Sequence, residues 1–218
     1  MDKPSLQTSS SDIVASALRG LLGACPGIGS ALSEAVNFLI PNQKLDRVIE
    51  YVKQLDSVVT SIEINLNNFQ KNIRIEEGLD ILEDGLVQAS RATTQERRTR
   101  LANLVGRTLT SAEIKYAEAK KILNIFKELL DPEILWLIYY SETPTMGSEY
   151  HRNLVNNNPE ILRKASKVMG APEAEKNRGA IQDSYINTLI RLGLLDNDKS
   201  SSITRLGKLV VEYIKSDN

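Results

Sequence analysis

From Leu45 onward the chain repeats apolar residues at alternating spacings of three and four: Leu45, Val48, Val52, Leu55, Val59, Ile62, Leu66, Phe69 and Ile73. Residues three and four apart share one face of an α-helix, whereas the faces of a strand alternate at every second residue. The run of about four heptads therefore predicts one long helix with an apolar seam. Lys, Asp, Glu and Asn occupy its other faces. Such a seam has to be covered. Either other helices of the same chain pack on it in an antiparallel bundle, or it pairs with a second chain as a coiled coil. Equally amphipathic segments follow it, so the intramolecular packing is the favoured expectation.

The segments that follow carry their own start and stop signals. Glu76-Glu77-Gly78 interrupts the long helix and ILEDGLVQASRA resumes it. Thr93-Thr94-Gln95-Glu96 reads as a capping box opening ERRTRLANLVGR, and Thr110-Ser111-Ala112-Glu113 as a second opening IKYAEAKKILNIFKELL. Asp131-Pro132-Glu133 predicts an N-cap followed by proline in the first turn, before EILWLIYYS, and Asn158-Pro159-Glu160 repeats that signal. GAPEAEKNRG reads as a loop. No alternating run is long enough to build a sheet, and no internal repeat is visible.

Residues 13–40, IVASALRGLLGACPGIGSALSEAVNFLI, stand apart from this pattern. They carry only Arg19 and Glu34 as charges and hold four glycines around Pro26. The stretch reads as a hairpin of two short apolar helices, broken at Cys25-Pro26-Gly27 and ended by Pro41. Each arm has about 12 residues, or ~18 Å of helix, against ~30 Å of bilayer hydrocarbon. Neither arm can span a membrane. The hairpin is expected to be core, a self-association surface, or a segment lying in a membrane interface, with Leu18, Leu21, Leu22, Ile28, Leu32, Val36, Phe38 and Leu39 as its contact residues. Its many small residues allow close helix approach, as between membrane helices.

Charge narrows the partners. The net charge is −1, with 27 basic and 28 acidic residues, so no global field draws in nucleic acid or anionic lipid. Arg91, Arg97, Arg98, Arg100 and Arg107 cluster, and Arg97, Arg100 and Arg107 share a helical face. They are candidates for an anion or partner contact; the alternative is ion pairing with Glu50, Asp56, Glu63 or Glu77. The final stretch, DSYINTLIRLGLLDNDKSSSITRLGKLVVEYI, has the outline of a winged-helix half. Its candidate nucleic-acid contacts are Arg191, Lys199 and Arg205, with Gln182 and Asn187 on the helix before them. That is little positive charge for reading DNA, and packing against protein is the favoured expectation.

Catalytic chemistry is sparse. His151 is the only histidine, expected in a loop, and Cys25 the only cysteine. Together they furnish no familiar zinc site or nucleophile–base triad. The glycines of GACPGIG lack the lysine of a phosphate loop. The expectation is a protein that is not an enzyme, with no cofactor, no metal and no evident small-molecule substrate. A polar start without a basic-then-apolar leader, and a lone cysteine, suggest a cytoplasmic setting, including the inner face of the membrane.

PGIGSALSEAVNFLIPNQKLDRVIEYVKQL, GLVQASRATTQERRTRLANLV, and LIRLGLL with ITRLGKLV carry a resemblance. The chain looks like a group of bacterial and prophage-borne helical proteins and is similar in outline to the Abi-alpha (abortive infection) proteins. The resemblance implies a setting in phage defence and a membrane-acting effector, and it brings no catalytic residues. The fold expected is all-α: a polar tail and apolar helical hairpin over 1–43, an antiparallel helical bundle with the long helix over 44–130, and a winged-helix-like unit over 131–218. Expected partners are a second copy or another protein. Membrane and nucleic acid remain as alternatives, and the alternative functions are a winged-helix nucleic-acid-binding regulator or an oligomeric scaffold or adaptor.

Overall fold

The computed structural model describes residues 44–60, 63–142, 148–166, 168–197 and 202–215. The apolar hairpin and all eight of its contact residues, from Leu18 to Leu39, lie outside the described residues, as does Lys199. Among the described residues there are ten helices: α1 (Leu45–Thr60), α2 (Glu63–Asn72), α3 (Glu76–Arg91), α4 (Gln95–Thr110), α5 (Tyr116–Glu128), α6 (Asp131–Tyr140), α7 (Glu149–Asn157), α8 (Pro159–Leu162), α9 (Glu173–Arg191) and α10 (Arg205–Ile214). The described part of the chain is all-helical. Its β structure is limited to one isolated antiparallel bridge, Leu195 to Ile203. The chain divides into two compact units: one runs to Asn124 and includes the chain end from Tyr213, and the other is Ile125–Glu212.

In the first unit, α4 packs against α1, α2 and α3 as a helical bundle. The seam faces inward: Val48, Val52, Leu55, Val59, Phe69 and Ile73 are all at most 1% exposed. Ile81, Leu82 and Leu86 from α3 and Leu101, Leu104, Val105 and Leu109 from α4 close on it. Six seam positions are thus covered within one chain, which favours the intramolecular packing over a seam shared between chains. Each fully buried Val, Leu, Ile or Phe contributes roughly 1.5–3 kcal/mol. The close approach of α1 and α3 depends on Gly85. A Cβ there would meet the Tyr51 hydroxyl at 2.5 Å and a methyl of Val105 at 2.9 Å. Tyr51 is wholly buried, and desolvation drives the pKa of its phenol far above the ordinary value.

Polar contacts fix the ends of these helices. Asn68 donates to the Thr110 carbonyl at 2.8 Å, and the buried Asn72 donates to the carbonyls of Leu109 (2.9 Å) and Ser111 (2.8 Å). Two asparagines of α2 thereby cap the C-terminus of α4, whose last carbonyls have no partner within the helix. Lys120 of α5 pairs with Asp80 at 2.8 Å and with Asp84, and Tyr116 donates to Asp80 at 2.7 Å. The hydrogen bond from Lys120 holds the Asp80 carboxyl below its ordinary pKa, assisted by Tyr116 and opposed by desolvation. That stabilisation is present at neutral pH and fades as pH falls through the lowered value. Both partners are partly exposed, so it is worth under about 1 kcal/mol.

Several local expectations shift. The break between α2 and α3 falls at Ile73–Ile75, so Glu76 and Glu77 lie in the first turn of α3, where negative charge suits the helix dipole. Thr94, not Thr93, caps α4, its side chain accepting from Arg97 N at 3.2 Å. The second predicted box is not made. Thr110 ends α4 and Ser111 is its C-cap, the Ser111 hydroxyl donating to the Thr108 carbonyl. Leu130 rather than Asp131 is the N-cap of α6, with Glu133 accepting from Leu130 N at 2.7 Å.

In the second unit, α6 packs against α8 and α9, and α7 packs against α8. Ile134, Leu137, Leu162, Leu189, Leu194, Leu195 and Val210 are buried there. The supposed loop at 170–179 is mostly the first two turns of α9, which begins at Glu173. Gly193, at φ +71°, ends that helix: its N–H reaches the Ile190 carbonyl and Leu194 N reaches Leu189, the pattern of a Schellman cap. The chain then pairs Leu195 with Ile203, and Thr204 caps α10 by accepting from Gly207 N at 3.0 Å.

Candidate functional site

The three expected arginine contacts sit on α4 in different roles. Arg97 and Arg100 are half-buried, and neither lacks an interaction of its own. Arg107 donates to the Lys215 carbonyl at 3.1 Å, tying α4 to the chain end. The ion pair with Glu50 is made by their neighbour Arg98 at 2.5 Å, whose side chain is 9% exposed and also donates to the Ala92 carbonyl. Arg98 is structural: it joins α1 to the start of α4.

At the other end of the chain, Arg191 and Arg205 are exposed. Arg191 faces Glu128 at 3.4 Å, and with Asp183, Ser184, Asn187 and Thr188 it lines a shallow groove of about 300 Å3 on α9. Gln182, expected beside Asn187 as an amide for base edges, is buried and fully occupied. Its Nε2 donates to the carbonyls of Ile161 (3.0 Å) and Arg163 (2.8 Å), and its Oε1 accepts from Ala165 N at 3.0 Å. The side chain staples the segment after α8 onto α9.

His151 lies in helix α7 rather than in a loop. Ser148 caps that helix, and the imidazole is buried. Its Nε2 lies 3.0 Å from the Tyr139 carbonyl and its Nδ1 2.8 Å from the Ser148 hydroxyl. A carbonyl only accepts, so Nε2 donates to Tyr139, and Nδ1 shares a second hydrogen bond with the Ser148 hydroxyl. Tyr150 donates to the Ile138 carbonyl at 3.0 Å. Tyr150 and His151 thus bind the Ile138 and Tyr139 carbonyls near the end of α6, and both ring nitrogens of the histidine are committed.

That anchoring shapes an aromatic cluster that the sequence reading treated only as part of a helix. Trp136 and Tyr140, four apart on α6, share a face; their rings are 6.1 Å apart and inclined by 28°. Tyr139 packs edge-on against both. Trp136 and Tyr140 form one wall of a cleft of about 680 Å3, whose other lining residues are Lys164, Ala165, Gln182, Asp183, Ile186 and Asn187. The buried indole Nε1 has no hydrogen-bond partner. Burial raises the pKa of the Tyr140 phenol above its ordinary value, with a smaller contribution from Tyr139. The phenol therefore stays neutral across the physiological range, able to donate and to accept. The legible signal was the density of WLIYY. Its partner, the face of α9, lies over 40 residues away and leaves no mark in the local pattern.

No group of three or more His, Cys, Asp or Glu side chains suited to holding a metal occurs among the described residues. No helix among them is long and apolar enough to cross a membrane. The chain matches no protein-family model, no curated protein and no solved structure.

Proposed function

We propose that this chain is a non-enzymatic helical protein of bacterial phage defence, acting in the manner of the abortive-infection proteins it resembles. Its apolar segment 13–40 is the acting part, through self-association or contact with the inner face of the membrane. The helical body carries it. One observation supports this reading above the others: the long seam is already buried within the first unit, while 13–40 supplies the longest weakly charged stretch of the sequence. A small-residue-rich segment of that kind can hold helices close together without the charged face of a coiled coil.

The deciding experiment compares the full chain with a variant lacking 13–40, by light scattering with and without anionic vesicles and by growth on induced expression in bacteria. The full chain is expected to exceed its monomer mass of 24.2 kDa or to sediment with vesicles, and to arrest growth. The deletion variant is expected to be monomeric, vesicle-free and harmless. A full chain that stays monomeric and in the supernatant, or a deletion that arrests growth equally, overturns the reading.

A second reading is a winged-helix regulator that binds nucleic acid through α9 and its flanks. The succession of α9, the Leu195–Ile203 bridge and α10, with Arg191 and Arg205 exposed, speaks for it. The commitment of Gln182 to the segment after α8 speaks against it. This reading predicts duplex binding that weakens steeply with salt and is lost in the combined Arg191→Ala, Lys199→Ala, Arg205→Ala variant. The absence of any mobility shift at low salt would exclude it.

A further inference from the structure

The cleft between α6 and α9 is unused by the proposed function. At about 680 Å3 it falls within the roughly 300–1,000 Å3 typical of small-molecule sites. Its chemistry is divided by position. On α6, Tyr140 presents a half-buried aromatic ring backed by Trp136. On α9, one turn apart, Asp183 and Asn187 present a carboxylate and an amide, with Ile186 beside them. Lys164 adds a cation from the segment after α8. That segment is held by the three hydrogen bonds of Gln182 and by Ser166 N donating to Glu175 at 3.0 Å. The walls are therefore set before any ligand arrives.

We propose that this cleft binds a mononucleotide, with its base on the Tyr140 ring, its edge read by Asp183 and Asn187, and its phosphate on Lys164. Each part of the lining argues for one part of the ligand. An aromatic wall favours a flat ring over an aliphatic body, because stacking adds to burial. A carboxylate only accepts hydrogen bonds, whereas an amide both donates and accepts, so the pair matches a polar edge with donors beside an acceptor. Guanine presents such an edge; adenine lacks the carbonyl. One cation and one carboxylate give the lining no net charge. A simple anion or a simple cation therefore gains little, and a ligand with donors at one end and negative charge at the other gains at both.

Trp136 is the only tryptophan in the chain, so its fluorescence reports on this cleft. The test is titration of the purified full chain with GMP, AMP, guanosine and inorganic phosphate, read by calorimetry and by Trp136 emission. GMP is expected to bind and to change the emission, AMP and guanosine each to bind about tenfold or more weaker, and phosphate alone to do neither. Lys164 and Asn187 are exposed, so their variants keep the fold, checked by an unchanged melting curve. Lys164→Ala should lower GMP affinity to that of guanosine, and Asn187→Ala should weaken it about tenfold. Arg191→Ala, in the neighbouring groove, should leave it unchanged. The proposal is overturned if no nucleotide binds at millimolar concentration, if AMP binds as tightly as GMP, or if Lys164→Ala and Asn187→Ala leave GMP binding intact. None of these outcomes depends on residues 13–40, so the two proposals fail separately.

Discussion

Replacing Asn72 by aspartate is expected to destabilise the first unit by about 3–5 kcal/mol at neutral pH, more than any other single change at its surface or caps. The reason is direction. The Asn72 amide is 3% exposed and donates to two carbonyls at the C-terminus of α4. Aspartate offers no proton there. It sets a buried negative charge against two carbonyl oxygens at the negative end of a helix dipole. Asn72→Ala removes the same donors without adding charge and should cost about 2 kcal/mol. The ordering of the two variants therefore separates electrostatic conflict from simple loss of a cap. Urea denaturation at neutral pH gives both values. Protonating the new carboxyl restores a donor, so the gap between the variants should narrow as pH is lowered. Equal costs at every pH would show that the loss of the two donors accounts for both variants and that the buried charge adds nothing.

Asn72 also shows where the sequence stops being informative. Its neighbours on the seam were readable because a helical period reports burial directly: Val48, Val52, Leu55, Val59, Phe69 and Ile73 all face inward. Asn68 and Asn72 fell on positions that the same pattern assigns to solvent. Their partners are the carbonyls of residues about 40 positions onward, and nothing local encodes that meeting. The failed capping box at Thr110-Ser111-Ala112-Glu113 has the same origin. The motif is a local match, but the residues around it already serve as the C-terminus of α4, capped from α2. Tertiary partners decided which end of a helix that stretch became.

The C-terminal unit divides along the same line. Gly193 ends α9 in the left-handed conformation that favours glycine. GAPEAEKNRG looked like a loop from its glycine and proline. Pro172 instead precedes the helix start, and Glu173 and Glu175 suit its first turn. For the candidate site, the polar residues of α9 were grouped together, and the structure separates them. Gln182 turns inward to hold the segment after α8, while Asn187 faces the cleft with Tyr140. Both residues lie on one helix, and only the packing of α6 against α9 decides which way each faces.

The α2–α3 corner yields the second large effect, at Gly78. Alanine is the better helix former by about 1 kcal/mol, and Gly78 lies inside α3, so propensity alone predicts that Gly78→Ala stabilises. Packing predicts the reverse. A Cβ at Gly78 would lie 2.0 Å from the Asn72 carbonyl oxygen and 2.7 Å from its carbon. Both atoms belong to the backbone, which cannot swing aside as the end of a side chain can. Asn72 is moreover held by its two bonds to α4, so the corner has to move as a whole and disturb that cap. Overpacking of this kind typically costs about 1–3 kcal/mol, occasionally more, and with the gain in helix propensity of about 1 kcal/mol set against it, the net expectation for Gly78→Ala is destabilisation by about 2 kcal/mol. The double variant with Asn72→Ala tests the cause. Once the cap is cut, the corner is free to relax, and adding Gly78→Ala should cost at least about 1 kcal/mol less than it does alone. Additive costs would mean that the clash is relieved within α3 itself. A stabilising Gly78→Ala would mean that the two helices do not meet this closely in solution.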